Sequence, residues 1–254
     1  MDLRGKHALV TGATAGIGAA TAHALAAAGA DVTITGRRQD RLQDIAAALA
    51  VHGTNVASAT FDVSDRAAVD AAFHARPALA DVDILVNNAG LARGTDPMQA
   101  ASVGDWEEMV RTNVLGLLYM TRPIAARMAE RGAGHIVNLG SVAGRWVYPG
   151  GGVYCATKAA VGSLSEGLRY DLLGKNVRVT NIEPGLVETE FSVVRFRGDE
   201  ARAKKVYAGF EALTPQDVAE TIVWCLSRPA HVNVQELVLY PTAQAGVRDV
   251  ARSG

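Results

Sequence analysis

The chain has 254 residues, 49% hydrophobic and 20% charged, with 25 Lys and Arg against 26 Asp and Glu. A net charge of −1 lacks the basic excess that nucleic-acid or membrane-surface binding needs, and no apolar run approaches the roughly 20 residues that span a bilayer. The size suits a single α/β domain spanning 1–254, and two cysteines without metal-ligand spacing, Cys155 and Cys225, read as reduced thiols with no metal site.

The N-terminus, "MDLRGKHALV", has no secretory h-region, so a cytoplasmic protein is expected. Short apolar runs then alternate with longer amphipathic segments. Strands are expected at 7–12, 31–36, 56–63, 82–90, 135–141, 177–185 and 236–241. Helices are expected at 19–28, 41–50, after Ser64 as N-cap, at 103–131 without interruption, at 153–173, and at 214–227 with Thr214 as N-cap and Pro215 at its first position. Residues 186–213 read as an irregular, charged connection. The tail "GVRDVARSG" reads as frayed or placed at a subunit contact. The alternation predicts a Rossmann-type doubly wound sheet of seven mostly parallel strands, helices on both faces, with a cofactor half over about 1–135 and a catalytic, lid-bearing half over about 136–254.

"TGATAGIG" (11–18) joins the first strand to the first helix. Gly12, Gly16 and Gly18 let a phosphate approach backbone N–H groups, and the helix N-terminus adds a partial positive charge. The second strand ends in "TGRR", where Arg37 and Arg38 stand in place of a ribose-binding carboxylate. Two guanidinium groups suit a 2′-phosphate and so NADP(H). Asp62, after the third strand, can bind the adenine amino group or cap the following helix. "NNAG" (87–90) closes the fourth strand; its buried amides read as scaffold for the cofactor wall.

"GGGVYCATKAA" (150–160) puts Tyr154 and Lys158 at i, i+4 on one helix face. An adjacent ammonium favours the phenolate and predicts a lowered tyrosine pKa. Ser141, at the end of the fifth strand, can donate to a carbonyl oxygen that Tyr154 protonates. Asn113, a mid-helix amide among apolar residues, can hold a water linking Lys158 to solvent.

With these residues in this order, the chain resembles the short-chain dehydrogenase/reductase family, and "IEPGLVET" (182–189) resembles that family's nicotinamide-side loop. The resemblance implies a catalytic set of Asn113, Ser141, Tyr154 and Lys158, with Tyr154 as acid/base and Lys158 also on the nicotinamide ribose. It implies cofactor contacts from Gly12, Thr14, Gly16, Ile17 and Gly18, and from Arg37, Arg38, Asp62 and Val63. Asn88, Ala89 and Gly90 belong to the same wall, and Pro184, Gly185, Val187 and Thr189 hold the carboxamide end. The second half is similar to NADP-dependent 3-hydroxy acid dehydrogenases acting on serine, allo-threonine and 3-hydroxypropanoate-type substrates. A substrate carboxylate then needs a cation, for which Arg145, Arg195 and Arg197 are candidates, with Trp146 and Tyr148 shaping the pocket. The alternatives are a carbonyl reductase of neutral or bulky substrates and a non-catalytic NADP(H) sensor. The family's paired long helices imply a homotetramer or a dimer.

Overall fold

The computed structural model describes residues 2–253. Seven strands form one sheet: β1 (His7–Val10), β2 (Asp31–Gly36), β3 (Val56–Thr60), β4 (Ile84–Asn87), β5 (Gly134–Leu139), β6 (Val177–Pro184) and β7 (Glu236–Leu239). Their spatial order is β3-β2-β1-β4-β5-β6-β7, and every pair is parallel. The interior strands are buried on both faces, as "HALV" and "ILVN" required by lacking alternation.

Helices cover both faces. On one side α1 (Gly16–Ala27) packs on α9 (Pro215–Leu226), and Leu25, Ile34, Leu42, Ile182 and Ile222 are fully buried between them and the sheet. On the other side Leu9, Leu85, Ile136 and Val179 meet Met120, Ile124 and Met128 of α5 (Leu117–Arg131). Each such side chain contributes about 1.5–3 kcal/mol on burial. The remaining helices are α2 (Gln39–Leu49), α3 (Arg66–Ala75), α4 (Val103–Val110), α6 (Gly152–Asp171), α7 (Phe191–Arg195) and α8 (Glu200–Tyr207). Strand order reverses between β1 and β4, which opens a crevice at their carboxyl ends.

Four local expectations are corrected. The helix expected over 103–131 is interrupted by a π turn, Arg111–Gly116, between α4 and α5. Asp65, not Ser64, caps α3: its carboxylate accepts the N–H groups of Ala67 and Ala68, while Ser64 bonds Asp62. The 186–213 connection holds two short helices, α7 and α8. As far as Ser253, with Gly254 outside the described residues, the tail is not frayed: Ala251 N–H donates to Ala243 O, Ser253 N–H to Gly209 O, and Gln244 bridges Val250. At α9 the expectation holds, with Thr214 and Asp217 forming a reciprocal capping box. Among the described residues no helix is long and apolar enough to cross a membrane.

Candidate active site

A cavity of about 650 Å³ runs along the carboxyl edge of the sheet, from the β2 end to α7. Its walls hold every expected cofactor residue except Gly18, which lies just behind the loop. Glycines there follow from crowding. A Cβ on Gly12, whose φ is +64°, would lie 2.8 Å from Ala89 Cα, and one on Gly18 would lie 2.5 Å from Gly12 O. Asn88 ties the wall to the loop: its Nδ2 donates to Thr11 O and Gly12 O at 2.9 and 3.1 Å. Asn87 instead faces inward and donates to Thr121 and Asn138.

At the adenosine end, Arg38 Nη2 donates to Thr14 Oγ1 at 2.8 Å, and its Nη1 reaches Glu190 at 3.1 Å. Arg37 approaches Asp62 at 3.5 Å. Both guanidinium groups line the cavity and stay largely solvent-accessible. The other Asp62 oxygen accepts from Ser64 N–H and Oγ, so it shapes the turn before α3 rather than capping the helix.

Toward the opposite end, Ser141, Tyr154 and Lys158 line one wall. Ser141 closes β5 and its Oγ accepts Ala143 N–H at 3.1 Å. Tyr154 and Lys158 lie on successive turns of α6, and Lys158 Nζ donates to Leu139 O at 2.6 Å. Asn113 sits in the π turn, just behind this wall. Its Oδ1 accepts Leu91 N–H, and its Nδ2 donates to Leu91 O and Thr157 Oγ1, all within 3.0 Å. The Thr157 hydroxyl in turn donates to Tyr154 O at 2.7 Å. Asn113 therefore anchors both the strand-end loop and the start of α6.

Charge here departs from expectation. Burial pushes the Tyr154 phenol above its usual value, with the nearby Tyr148 adding to the shift; the Ser141 hydroxyl and the Arg195 guanidinium oppose it. Lys158 is not among the groups that move it most. Burial lowers the Lys158 ammonium itself to about 8, against the favourable charge of Glu183.

The five candidate substrate residues separate. Arg195 and Tyr148 line the cavity: Arg195 donates to Tyr148 Oη at 2.6 Å and to Gly94 O at 3.1 Å, with its guanidinium carbon 5.6 Å from the Tyr154 ring centre. Arg145, Trp146 and Arg197 do not line it. Arg145 turns away to pair with Glu183 and Glu236, Arg197 pairs with Asp105, and Trp146 is 59% exposed on the outer surface. For Arg145 the reason is topological, since the turn after Ser141 brings it against β6 and β7. Arg248 is the residue that sequence reasoning missed. It lines the cavity 4.9 Å from the Tyr148 ring centre and donates to Pro149 O. Only its place in a charged tail could have suggested it. The acidic lining residues, Asp62 and Glu190, belong to the adenosine end, so among the described residues no carboxylate lining the cavity opposes Arg195 and Arg248. Among the described residues no cluster of His, Cys, Asp and Glu could hold a metal, and both cysteines are buried free thiols.

Known proteins similar to the chain are dehydrogenases. An NADP-dependent 3-hydroxy acid dehydrogenase of Shigella flexneri is 52% identical over 239 residues, which cover 93% of this chain and 95% of the relative. A serine 3-dehydrogenase of Agrobacterium fabrum is 45% identical over 240 residues, covering 93% and 94%. The closed form of a serine dehydrogenase complexed with NADP+ superposes with a TM-score of 0.91 at 50% identity, covering 97% of this chain and all of that one. The family model for short chain dehydrogenases matches residues 6–199. The chain belongs to the short-chain dehydrogenase family.

Proposed function

We propose that the protein oxidises small 3-hydroxy acids of the serine, allo-threonine or 3-hydroxypropanoate type, reversibly, with NADP+. The observation that carries the substrate class is Arg195, a cavity-lining cation beside Tyr154 with no acidic partner among the described residues. The two similar dehydrogenases support the same class through what they act on.

The residues present fit the dinucleotide. Gly12, Gly16 and the α1 N-terminus leave a side-chain-free cradle for its diphosphate, and Arg37 and Arg38 supply two guanidinium groups for a 2′-phosphate. Asp62, Val63, Asn88, Ala89 and Gly90 form the adjoining wall, and Pro184, Gly185, Val187 and Thr189 would hold the nicotinamide carboxamide end. When bound, the cofactor supplies the hydride acceptor.

The chain's own groups handle binding and the proton. Arg195 holds the substrate carboxylate, with Tyr148 Oη beside it. Ser141 donates to the carbinol oxygen, which Tyr154 contacts as acid or base. The raised phenol pKa keeps Tyr154 protonated at neutral pH, suiting it to protonate a carbonyl oxygen in reduction. Oxidation runs the proton from the alcohol to the phenolate, a form that Ser141 and Arg195 favour. Lys158, which lines the cavity, would hold the nicotinamide ribose with its ammonium, and Asn113 holds the start of α6 in place.

Turnover of NADP+ with short 3-hydroxy acids against NADPH with neutral carbonyls tests this function. Turnover only of neutral carbonyls would replace it with a carbonyl reductase; NADPH binding without turnover of either would indicate a sensor. Arg195→Met should raise KM for the acids at least tenfold, as loss of a charge-assisted contact worth about 1.5–3 kcal/mol requires. Arg197→Gln should leave it unchanged. A homotetramer is also proposed, supported by Val103 and Val110 on α4, Leu118 on α5, and Tyr170 on α6, all exposed. Light scattering after size exclusion reads its mass, and a monomer would reject it.

A further inference from the structure

All eight residues of β6 are buried, yet one of them is Glu183. An isolated carboxylate in such a strand is costly, and a well-packed apolar residue is usually as stable or more so. Glu183 is 3% exposed; its Oε1 accepts Asn181 Nδ2 at 2.7 Å and its Oε2 accepts Arg145 Nε. Arg145 also pairs with Glu236 of β7, so it lies between two carboxylates. It reaches them from the 3-10 turn Val142–Gly144, which starts at Ser141.

The two ends of that turn press on two different neighbours. A Cβ on Gly140 would lie 2.9 Å from Glu183 Cγ and 2.5 Å from Asn181 Oδ1. A Cβ on Gly144 would lie 2.8 Å from the backbone carbon and oxygen of Lys158. The Ser141 turn is thus wedged between β6 and the Lys158 turn of α6, and Arg145–Glu183 is the polar link across the wedge. Pro184, the next residue on β6, lines the nicotinamide side of the cavity. Charged groups facing Glu183 are Arg145, Glu236 and, through its field, Lys158.

We infer that Glu183 and Arg145 are positioning residues for hydride transfer: their ion pair ties the Ser141 turn to the β6 end and fixes Ser141 relative to Lys158 and the Pro184 loop. Neither touches the reacting atoms. The inference rests on the proposed roles of Ser141, Tyr154 and Lys158. Displacing a reacting-end group by an ångström can slow turnover by up to about a hundredfold, so the brace acts on kcat rather than on cofactor affinity.

The test uses the full chain with NADP+ and its best alcohol substrate. Glu183→Gln and Arg145→Met should each lower kcat about tenfold while Kd for NADP+ stays within about threefold. The double variant should be no slower than the worse single one, because both lose one link. Arg145→Lys, which retains the charge and folds if Arg145→Met does not, should recover part of the rate. The inference is overturned if kcat stays within about twofold despite a lower Tm, if NADP+ affinity falls as much as kcat, or if the two losses multiply. Tyr154→Phe is measured in parallel; its retained turnover would reject the reacting-end assignment and not the brace alone.

Discussion

Lys158 carries its charge where charge is expensive. Its ammonium is buried, and its folded pKa of about 8 lies below the ordinary 10.5. Between those values the unfolded chain binds the proton and the folded one does not, so the lysine's destabilising effect is full below pH 8 and disappears as pH rises toward 10.5. Lys158→Met is therefore expected to raise stability, and so Tm, at pH 7, by at most on the order of 3 kcal/mol less the lost bond to Leu139 O, while turnover collapses. Calorimetry at pH 7 and pH 10 checks the sign, since the gain should shrink at the higher pH. The identities of Tyr154, Lys158 and Ser141 were legible in the sequence because helical spacing and strand-end position place them. The dominant force on Tyr154 was not legible. Spacing suggests an ammonium one turn away, but desolvation depends on what surrounds the phenol, and that is tertiary. The substrate cations show the same limit. Arg145, Arg195 and Arg197 looked equivalent in sequence, and only folding sends one into the cavity and two into ion pairs.

The interrupted helix belongs to the scale of elements. The apolar pattern over 103–131 is continuous, no proline lies within 111–116, and Gly116 alone is a weak helix breaker, so one helix was the natural expectation. The π turn widens the helix by one residue and turns the Asn113 side chain to Leu91, where it satisfies both the N–H and the C=O of an otherwise buried loop backbone. A mid-helix amide among apolar residues was the available signal, and it pointed to a polar task without naming the partner. Asn113→Leu strands one buried donor and one buried acceptor, each worth about 1–3 kcal/mol. The variant is expected to lose at least 2 kcal/mol in denaturant unfolding, on the order of two such penalties, and to lower kcat, because Leu91 and the Tyr154 turn share the amide. Retained stability would show that water or repacking replaces those bonds. The α7 and α8 helices were less visible, since segments of five and eight residues inside a charged connection carry too little periodicity to separate from loop.

Across the whole molecule, the sheet was readable because seven apolar runs alternate with amphipathic ones, and parallel crossover rules leave little choice of topology. What sequence could not rank was the polar content of the core. His135 of β5 is a case: it is buried, with Nε2 2.8 Å from Thr180 Oγ1, and burial beside the Arg178 charge lowers its pKa to about 3. An unfolded chain takes up that proton near pH 6.5 and the folded one does not until about pH 3. The unfolded state thus binds more protons in that window, and stability contributed by neutral His135 is lost as pH falls from 6.5 toward 3, at about 1.4 kcal/mol per unit. The bonded carboxylates add to the acid sensitivity at lower pH; for Glu108 and Asp217, both held below their ordinary values of 4.5 and 3.8, the loss begins as pH falls to those ordinary values and is complete below the lowered ones. The histidine can be separated from them by its earlier onset. His135→Leu should flatten the dependence of unfolding free energy on pH between 6 and 4 by close to that slope, leaving the steeper loss below pH 4 in place. An unchanged slope between 6 and 4 would mean that β5 opens to water before the sheet unfolds, and that the sheet's centre is not the last part of the molecule to yield.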